Sequence, residues 1–134
     1  MTYSKFILLI ILISIFSCNP KINQTVKKQR EGKWIIIDTL DSIYIAKGKY
    51  RNDKEIETWR CFYNGHMIKK EKYRKSFTKT TFYHSNGKIM KRGKTKTETN
   101  TLETHWYYYG KWHFYNKEGK LDSIKFYTKE NYNK

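Results

Sequence analysis

Short runs rich in aromatic and β-branched residues, separated by polar turns, follow one another from about residue 32 to residue 130. Such runs are typical of β-strands. They cover residues 34–37, 42–46, 58–63, 66–73, 77–84, 88–92, 111–115 and 120–127. No segment of this region carries a long apolar stripe with the 3.6-residue period of a helix. The pattern therefore predicts an all-β domain, an antiparallel sheet with little or no helix after the N-terminal segment.

Glycine turns separate several of the strand-like runs. Asn64-Gly65 and Asn86-Gly87 each stand between two runs, and a longer turn ends at Gly119. The Asn-Gly pair favours a tight hairpin, because both central positions of that turn need a positive φ. The aromatic residues that precede these turns are Trp59, Tyr63, Tyr83 and Tyr115.

A second short element also recurs, made of a glycine, a lysine and an aromatic residue. Its three copies are Gly32-Lys33-Trp34, Gly48-Lys49-Tyr50 and Gly110-Lys111-Trp112. The turn glycines lie 22 and then 32 residues apart, as expected if one repeat holds an insertion around residues 95–104. A single hairpin buries too little surface to be stable alone, so stacked neighbouring hairpins would supply the core.

These elements together resemble the bacterial variant of the MORN repeat. The best matches are residues 110–121 and 83–88, residues 48–70 form a weaker copy, and residues 32–46 match only at their start. The resemblance implies an elongated, twisted antiparallel sheet of stacked hairpins rather than a closed barrel. Some proteins with such repeats carry the label of YwqK-type antitoxin. The repeat-motif positions are Gly32, Trp34, Gly48, Trp59, Tyr63, Gly65, Tyr83, Gly87, Gly110, Trp112, Tyr115 and Gly119.

The N-terminus carries a different kind of signal. Lys5 precedes an apolar run at residues 6–16, which is followed by Ser17 and Cys18. A run of this length is too short to cross a bilayer, which takes about 20 residues in a helix. The pattern resembles a bacterial lipoprotein signal peptide, in which the cysteine receives the lipid and becomes the new N-terminus. A plain secretory peptide and an uncleaved membrane anchor are the alternatives.

We therefore expect a helical signal peptide at residues 1–17, a polar tether at 18–31 and a repeat domain at 32–130. Lipidation of Cys18 would hold the protein at a membrane of the cell envelope. Cys61 would then be the one remaining cysteine, and its aromatic surroundings predict a packing role.

The charge balance favours anionic partners. The chain has 28 basic and 12 acidic residues, a formal net charge of +16. Nucleic acid would be the first candidate for a cytoplasmic protein of this composition, but the export signal argues against it. Lipid head groups, lipopolysaccharide phosphates, acidic glycans and acidic proteins remain. Alternatively, the lysines only keep an aromatic-rich sheet soluble and protect its edges from association.

The sequence offers no arrangement of residues typical of an enzyme. The four histidines lack the close spacing of metal ligands, and the acidic residues are scattered. Asp53, Glu55 and Glu57 alternate along one predicted strand, where they more readily pair with neighbouring lysines than act as an acid–base pair. We therefore predict no catalytic residue, no metal and no cofactor.

These observations predict a membrane-anchored lipoprotein that acts as a non-catalytic binding module. The alternatives are an immunity or antitoxin protein and a binder of anionic envelope glycan or lipid. The first hypothesis relies on solvent-exposed aromatic side chains gathered on one face of the sheet. It would lose its main support if Trp59, Trp106 and Trp112 were fully buried.

Overall fold

A computed structural model describes residues 21–99 and 104–129, which form nine β-strands. No helix capable of spanning a membrane occurs among these residues. The predicted signal peptide and Cys18 lie outside the described ranges. The strands are β1 (Gln24–Val26), β2 (Gln29–Asp38), β3 (Tyr44–Arg51), β4 (Lys54–Tyr63), β5 (His66–Tyr73), β6 (Thr78–Tyr83), β7 (Ile89–Thr99), β8 (Thr104–Tyr115) and β9 (Leu121–Tyr127).

All nine strands belong to one sheet, and their order in space follows their order in the chain. Each strand pairs antiparallel with the next, so the sheet is an open series of consecutive hairpins. The prediction of an all-β antiparallel sheet is confirmed. The topology needs only short connections, because antiparallel neighbours can be joined by tight turns.

The folded region begins earlier than the sequence predicts. β1 and the first residues of β2 lie within the segment expected to be a tether, and they pair through a turn at Lys27 and Lys28. Both turn residues have positive φ, 48° and 65°, as this tight turn requires. Sequence inspection missed the hairpin because lysine is an unusual residue in such a turn. The predicted boundary at residue 32 must therefore move to about residue 22.

Asn23 continues the sheet beyond β1. Its side-chain amide donates to the Ile35 carbonyl at 3.0 Å, and its side-chain oxygen accepts from the Ile35 amide at 2.8 Å. Its own backbone amide donates to the Lys33 carbonyl. One asparagine thus supplies the donor and the acceptor that a further strand would offer to β2.

The proposed insertion lengthens a hairpin. β7 and β8 both extend well beyond the apolar runs that predicted them, and they pair as far as Thr99 and Thr104. Residues 95–99 alternate threonine with charged residues, so β-branched side chains sustain the strand without an apolar signal.

The hydrophobic core lies on one face, which we call the core face. Tyr50, Trp59, Ala46 and Cys61 form a buried cluster there. Farther along the sheet, Trp112 stacks on Tyr108 with ring centroids 4.0 Å apart. A cavity on this face is lined by residues from β2 as well as from β8. Since strands lie about 4.8 Å apart in a sheet, residues of such distant strands line one cavity because the sheet curves toward its core face. The opposite face is therefore convex.

Candidate functional site

Two tryptophans anchor the core face in the same way. Trp59 lies flat on Gly48, and Trp112 lies flat on Gly93; a Cβ at these glycines would approach the indole carbons to 2.1 and 2.4 Å. The indole N–H of Trp59 donates to the carbonyl of Lys49, and that of Trp112 donates to the carbonyl of Lys94. In space, the repeated unit is therefore a Gly-Lys pair on one strand and a tryptophan on the next.

A residue with positive φ precedes three of the core-face tryptophans, Trp34, Trp59 and Trp112, by two positions. Gly32 (74°) precedes Trp34, and Gly110 (69°) precedes Trp112. Before Trp59 this position is held by Glu57, with a φ of 58°. Left-handed backbone is unfavourable for residues with a Cβ.

The glycines fall into different classes from those that the sequence suggested. Gly48 was aligned with Gly32 and Gly110, but it lies beneath a tryptophan and lacks their positive φ. Its structural counterpart is Gly93, which the sequence analysis missed. The signal available was the Gly93-Lys94 pair, which matches Gly48-Lys49.

The predicted turn residues lie together along one rim of the sheet. Gly65, Gly87 and Gly119 all have φ values between 81° and 84°. Successive turns are linked, because the Asn86 amide donates to the Lys117 carbonyl at 2.8 Å and the Lys88 ammonium donates to the Glu118 carbonyl at 2.9 Å. Tyr63, Tyr83 and Tyr115 end the strands that enter these turns.

Most of the predicted aromatic sites serve the core rather than a partner surface. Trp59 is 4% exposed and Trp112 is fully buried. Trp106 is only half-buried, and it lines the cavity on the core face. The hypothesis of an exposed aromatic patch therefore loses two of its three tryptophans.

The cavity on the core face has a volume of about 530 Å³. Glu71 lies in its wall, 7% exposed, and its carboxylate pairs with the Lys69 ammonium at 3.0 Å. Burial raises the pKa of the Tyr73 hydroxyl, and the nearby carboxylates of Glu71 and Glu55 raise it further. Burial likewise raises the pKa of Tyr44. These phenols stay protonated, so the cavity presents hydroxyl groups, the Glu71 carboxylate paired with Lys69, and the Glu55 carboxylate.

The opposite face carries cations in two rows that run across the strands; we call it the basic face. The first row passes through β3, β4, β5 and β7, and the second passes through β5, β6 and β7. All of these side chains except Lys70 are exposed. The first row contains Lys47, Arg60, Lys70 and Arg92, and the second contains Lys72, Lys79 and Lys94.

Cations on the basic face lie over aromatic rings and form cation–π contacts with them. Lys94 lies 4.7 Å from the Phe77 ring centroid, and Lys96 lies 3.8 Å from that of Tyr109. Lys47 and Arg92 lie over Phe62 and Tyr115 at 5.6 and 5.4 Å. Each such contact holds a charged group near the sheet and is worth about 0.5–1 kcal/mol when exposed.

The ionisable residues for which no catalytic or metal-binding role is predicted lie apart from one another in the sheet. In residues 21–99 and 104–129, no three side chains of His, Cys, Asp or Glu come together as possible metal ligands. Cys61 is buried in the core cluster. Asp53 and Glu57 pair with Arg30 and Lys49 respectively.

No protein-family model, curated protein or solved structure matches the chain. The two faces of the sheet and the N-terminal sequence are therefore the features of this chain that bear on its function.

Proposed function

We propose that this protein is a lipid-anchored bacterial envelope protein that acts as a non-catalytic binding module. The N-terminal pattern ending in Cys18 supports the anchor. The recurrent unit of glycine and tryptophan supports a relationship to MORN-like repeats. The observation that carries the binding role is the difference between the two faces of the sheet. One face holds most of the core, and the other is basic and largely exposed apart from Tyr107, which is buried beside Lys96.

The position of β1 supports the presentation of this sheet close to a membrane. Ile22 already forms a bridge to Lys33, and it is four residues after Cys18 in sequence. A fully extended chain spans at most about 3.6 Å per residue, so these residues reach about 14 Å. A lipid on Cys18 would hold the sheet within that distance of the membrane.

The anchor is tested by expressing the full chain and its Cys18→Ala variant in a bacterial host. We expect intact mass to identify a mature species that begins at Cys18 and is heavier by its lipid. This species should sediment with membranes, and the Cys18→Ala chain should not be lipidated. An unprocessed soluble product from the natural sequence would contradict the anchor.

The binding role is tested separately with the Cys18→Ala chain, which removes the lipid as a cause of membrane association. Labelled protein is titrated into envelope fractions of the host of origin. The control is equally concentrated cytosolic protein mixed with vesicles of extracted envelope lipid, because the apolar segment at residues 6–16 stays on this chain and can itself bind lipid. We expect saturable binding to the envelope fraction. Equal or weaker binding to the envelope than to the control would contradict the proposal.

A further inference from the structure

We propose that the basic face binds a linear polyanion, an acidic polysaccharide of the envelope, which lies across the strands along the two rows of cations. The inference rests on the proposed function, because it identifies the partner of that binding module. The strand register of the basic face supports a polyanion as this partner.

The register places like charges directly opposite each other on successive strand pairs. In the first row, Lys47 opposes Arg60, which in turn opposes Lys70. Thr81 continues the row, and Arg92 follows on β7. In the second row, Lys72 opposes Lys79, which opposes Lys94. Within the described residues, no carboxylate forms an ion pair with any of these seven cations.

Such an arrangement is unfavourable for the isolated sheet. Directly opposed like charges destabilise strand pairing, whereas opposite charges at the same positions would stabilise it. Solubility needs lysines on the surface but does not need them opposed across neighbouring strands. An anion bound along the rows would neutralise this repulsion, so the register itself points to a ligand.

The shape of the face favours a chain over a flat surface. The sheet curves toward its core face, which makes the basic face convex. A planar membrane would touch a convex face along a narrow line, whereas a flexible polymer can follow it. The most exposed apolar side chains, Ile37, Leu40 and Phe126, lie outside strands β3–β7, which carry the rows, whereas Tyr109 and Ile124 adjoin the rows on β8 and β9.

The aromatic rings favour an acidic polymer that has no nucleobases. Binding of single-stranded nucleic acid commonly uses exposed rings on which bases stack. Here the rings beside the rows are covered by cations, as Lys94 covers Phe77 and Arg92 covers Tyr115. Recognition would therefore depend on the spacing of charge, and strands set that spacing at about 4.8 Å across the sheet.

The test measures equilibrium binding of the full chain, purified in a nonionic detergent, to polygalacturonate, a linear polymer with one carboxylate per sugar. The competing probes are the galacturonate monomer, single-stranded DNA of equal charge and vesicles containing phosphatidylglycerol. The variant Lys47→Gln/Arg60→Gln/Lys70→Gln/Arg92→Gln removes the first row. The control Lys27→Gln/Lys28→Gln/Lys117→Gln/Lys120→Gln removes the same charge from exposed turns.

We expect tight binding of the polymer and negligible binding of the monomer, because linked charges bind cooperatively. Removal of the first row should weaken polymer binding about 30-fold and reduce the slope of log affinity against log salt by about 3. The control should change affinity less than about threefold by the same reasoning. Circular dichroism verifies folding; if the first-row variant is unfolded, Lys72→Gln/Lys79→Gln/Lys94→Gln takes its place.

Several results would overturn the inference. An equal loss in the control would show that net charge, rather than the rows, determines binding. Vesicle binding that is tighter than polymer binding and is lost in the first-row variant would identify a lipid surface, because the lipid on Cys18 is the same in both chains. Tighter binding to DNA with quenching of aromatic fluorescence would identify a nucleic acid. Absence of polymer binding, with envelope binding of the Cys18→Ala chain retained, would overturn this inference alone and leave the proposed function standing.

Discussion

At the residue scale, Trp59 and Trp112 each need a neighbour without a side chain. Gly48 and Gly93 meet this need, because they allow the indole to lie on the backbone of the adjacent strand and reach its carbonyl. Glycine within a strand usually weakens it. At these two positions the weakening is offset by complete burial of a large aromatic side chain.

Gly93→Ala should destabilise the protein by about 2–3 kcal/mol, since the added methyl would overlap the Trp112 ring and force the ring or the strand to move. Urea denaturation measures the free energy of unfolding. Gly87→Ala is the matched control, because its Cβ would meet nothing within 4 Å and the cost there comes from the positive φ alone. We expect about 1 kcal/mol for the control. Equal costs at the two glycines would contradict the steric explanation.

Glu57→Gly should stabilise the protein by about 0.5 kcal/mol. Glycine relieves a left-handed backbone that costs about 1–2 kcal/mol, while its greater freedom in the unfolded chain and the lost surface ion pair return part of that gain. Lys49→Gln is the control, because it removes the ion pair at 2.8 Å and leaves the φ of Glu57 unchanged. Both variants lose the same ion pair, so a Glu57→Gly chain as unstable as Lys49→Gln, or less stable, would show that the left-handed backbone at Glu57 costs no appreciable strain.

The sequence predicts residue roles where the cause is local. Asn64 and Gly65 both have positive φ in a two-residue turn, as the dipeptide predicts. The Asn86-Gly87 turn is longer, since β6 ends at Tyr83 and β7 begins at Ile89, and only Gly87 of this pair has a positive φ. Gly93 escaped prediction because its role depends on Trp112, a partner 19 residues away on another strand. The sequence pattern also predicts the wrong role for Gly48, as a counterpart of Gly32 and Gly110, because its partner Trp59 lies on another strand.

At the element scale, strands with a recognised local signal in the sequence were predicted, and strands without one were missed. Apolar runs located most strands, but β1 was missed because its turn is Lys27-Lys28, and the extension of β7 was missed because it alternates threonine with charge. The extension of β8 carries an aromatic run at residues 106–109, a strand signal that the prediction overlooked. The basic composition was evident in the sequence. Its arrangement in rows was not, because the rows exist only once the register of five neighbouring strands is known.

Arg60→Glu should make the sheet more stable and the proposed binding weaker. Arg60 faces Lys47 on one side and Lys70 on the other, so the substitution converts two repulsive cross-strand pairs into attractive ones. We expect a gain of about 1 kcal/mol at low salt, which should shrink in high salt through screening. Thermal unfolding at both salt concentrations measures it, with Lys117→Glu in an exposed turn as the control. A loss of stability at low salt would show that the opposed cations do not repel each other appreciably.

At the scale of the whole molecule, the open sheet explains how so few aliphatic residues suffice for a fold. Curvature lets aromatic rings from distant strands line a single concave face, and each hairpin contacts only its neighbours in the sheet. Stability in such arrays is distributed over the interfaces between neighbouring units. The convex face is thereby free to carry charge that a closed core could not accommodate.

The asparagine at the first edge has a consequence for how this array could grow. Asn23 occupies the backbone groups of Ile35 that another strand would use on β2, and the rest of that edge is the 3-residue strand β1. At the other end, β9 offers 7 residues with no strand beyond them among the described residues. A duplicated hairpin placed after β9 would find an edge ready to pair. One placed before β1 would first have to displace Asn23. Gene duplication would therefore lengthen this protein, and its charged rows, more readily in one direction than in the other.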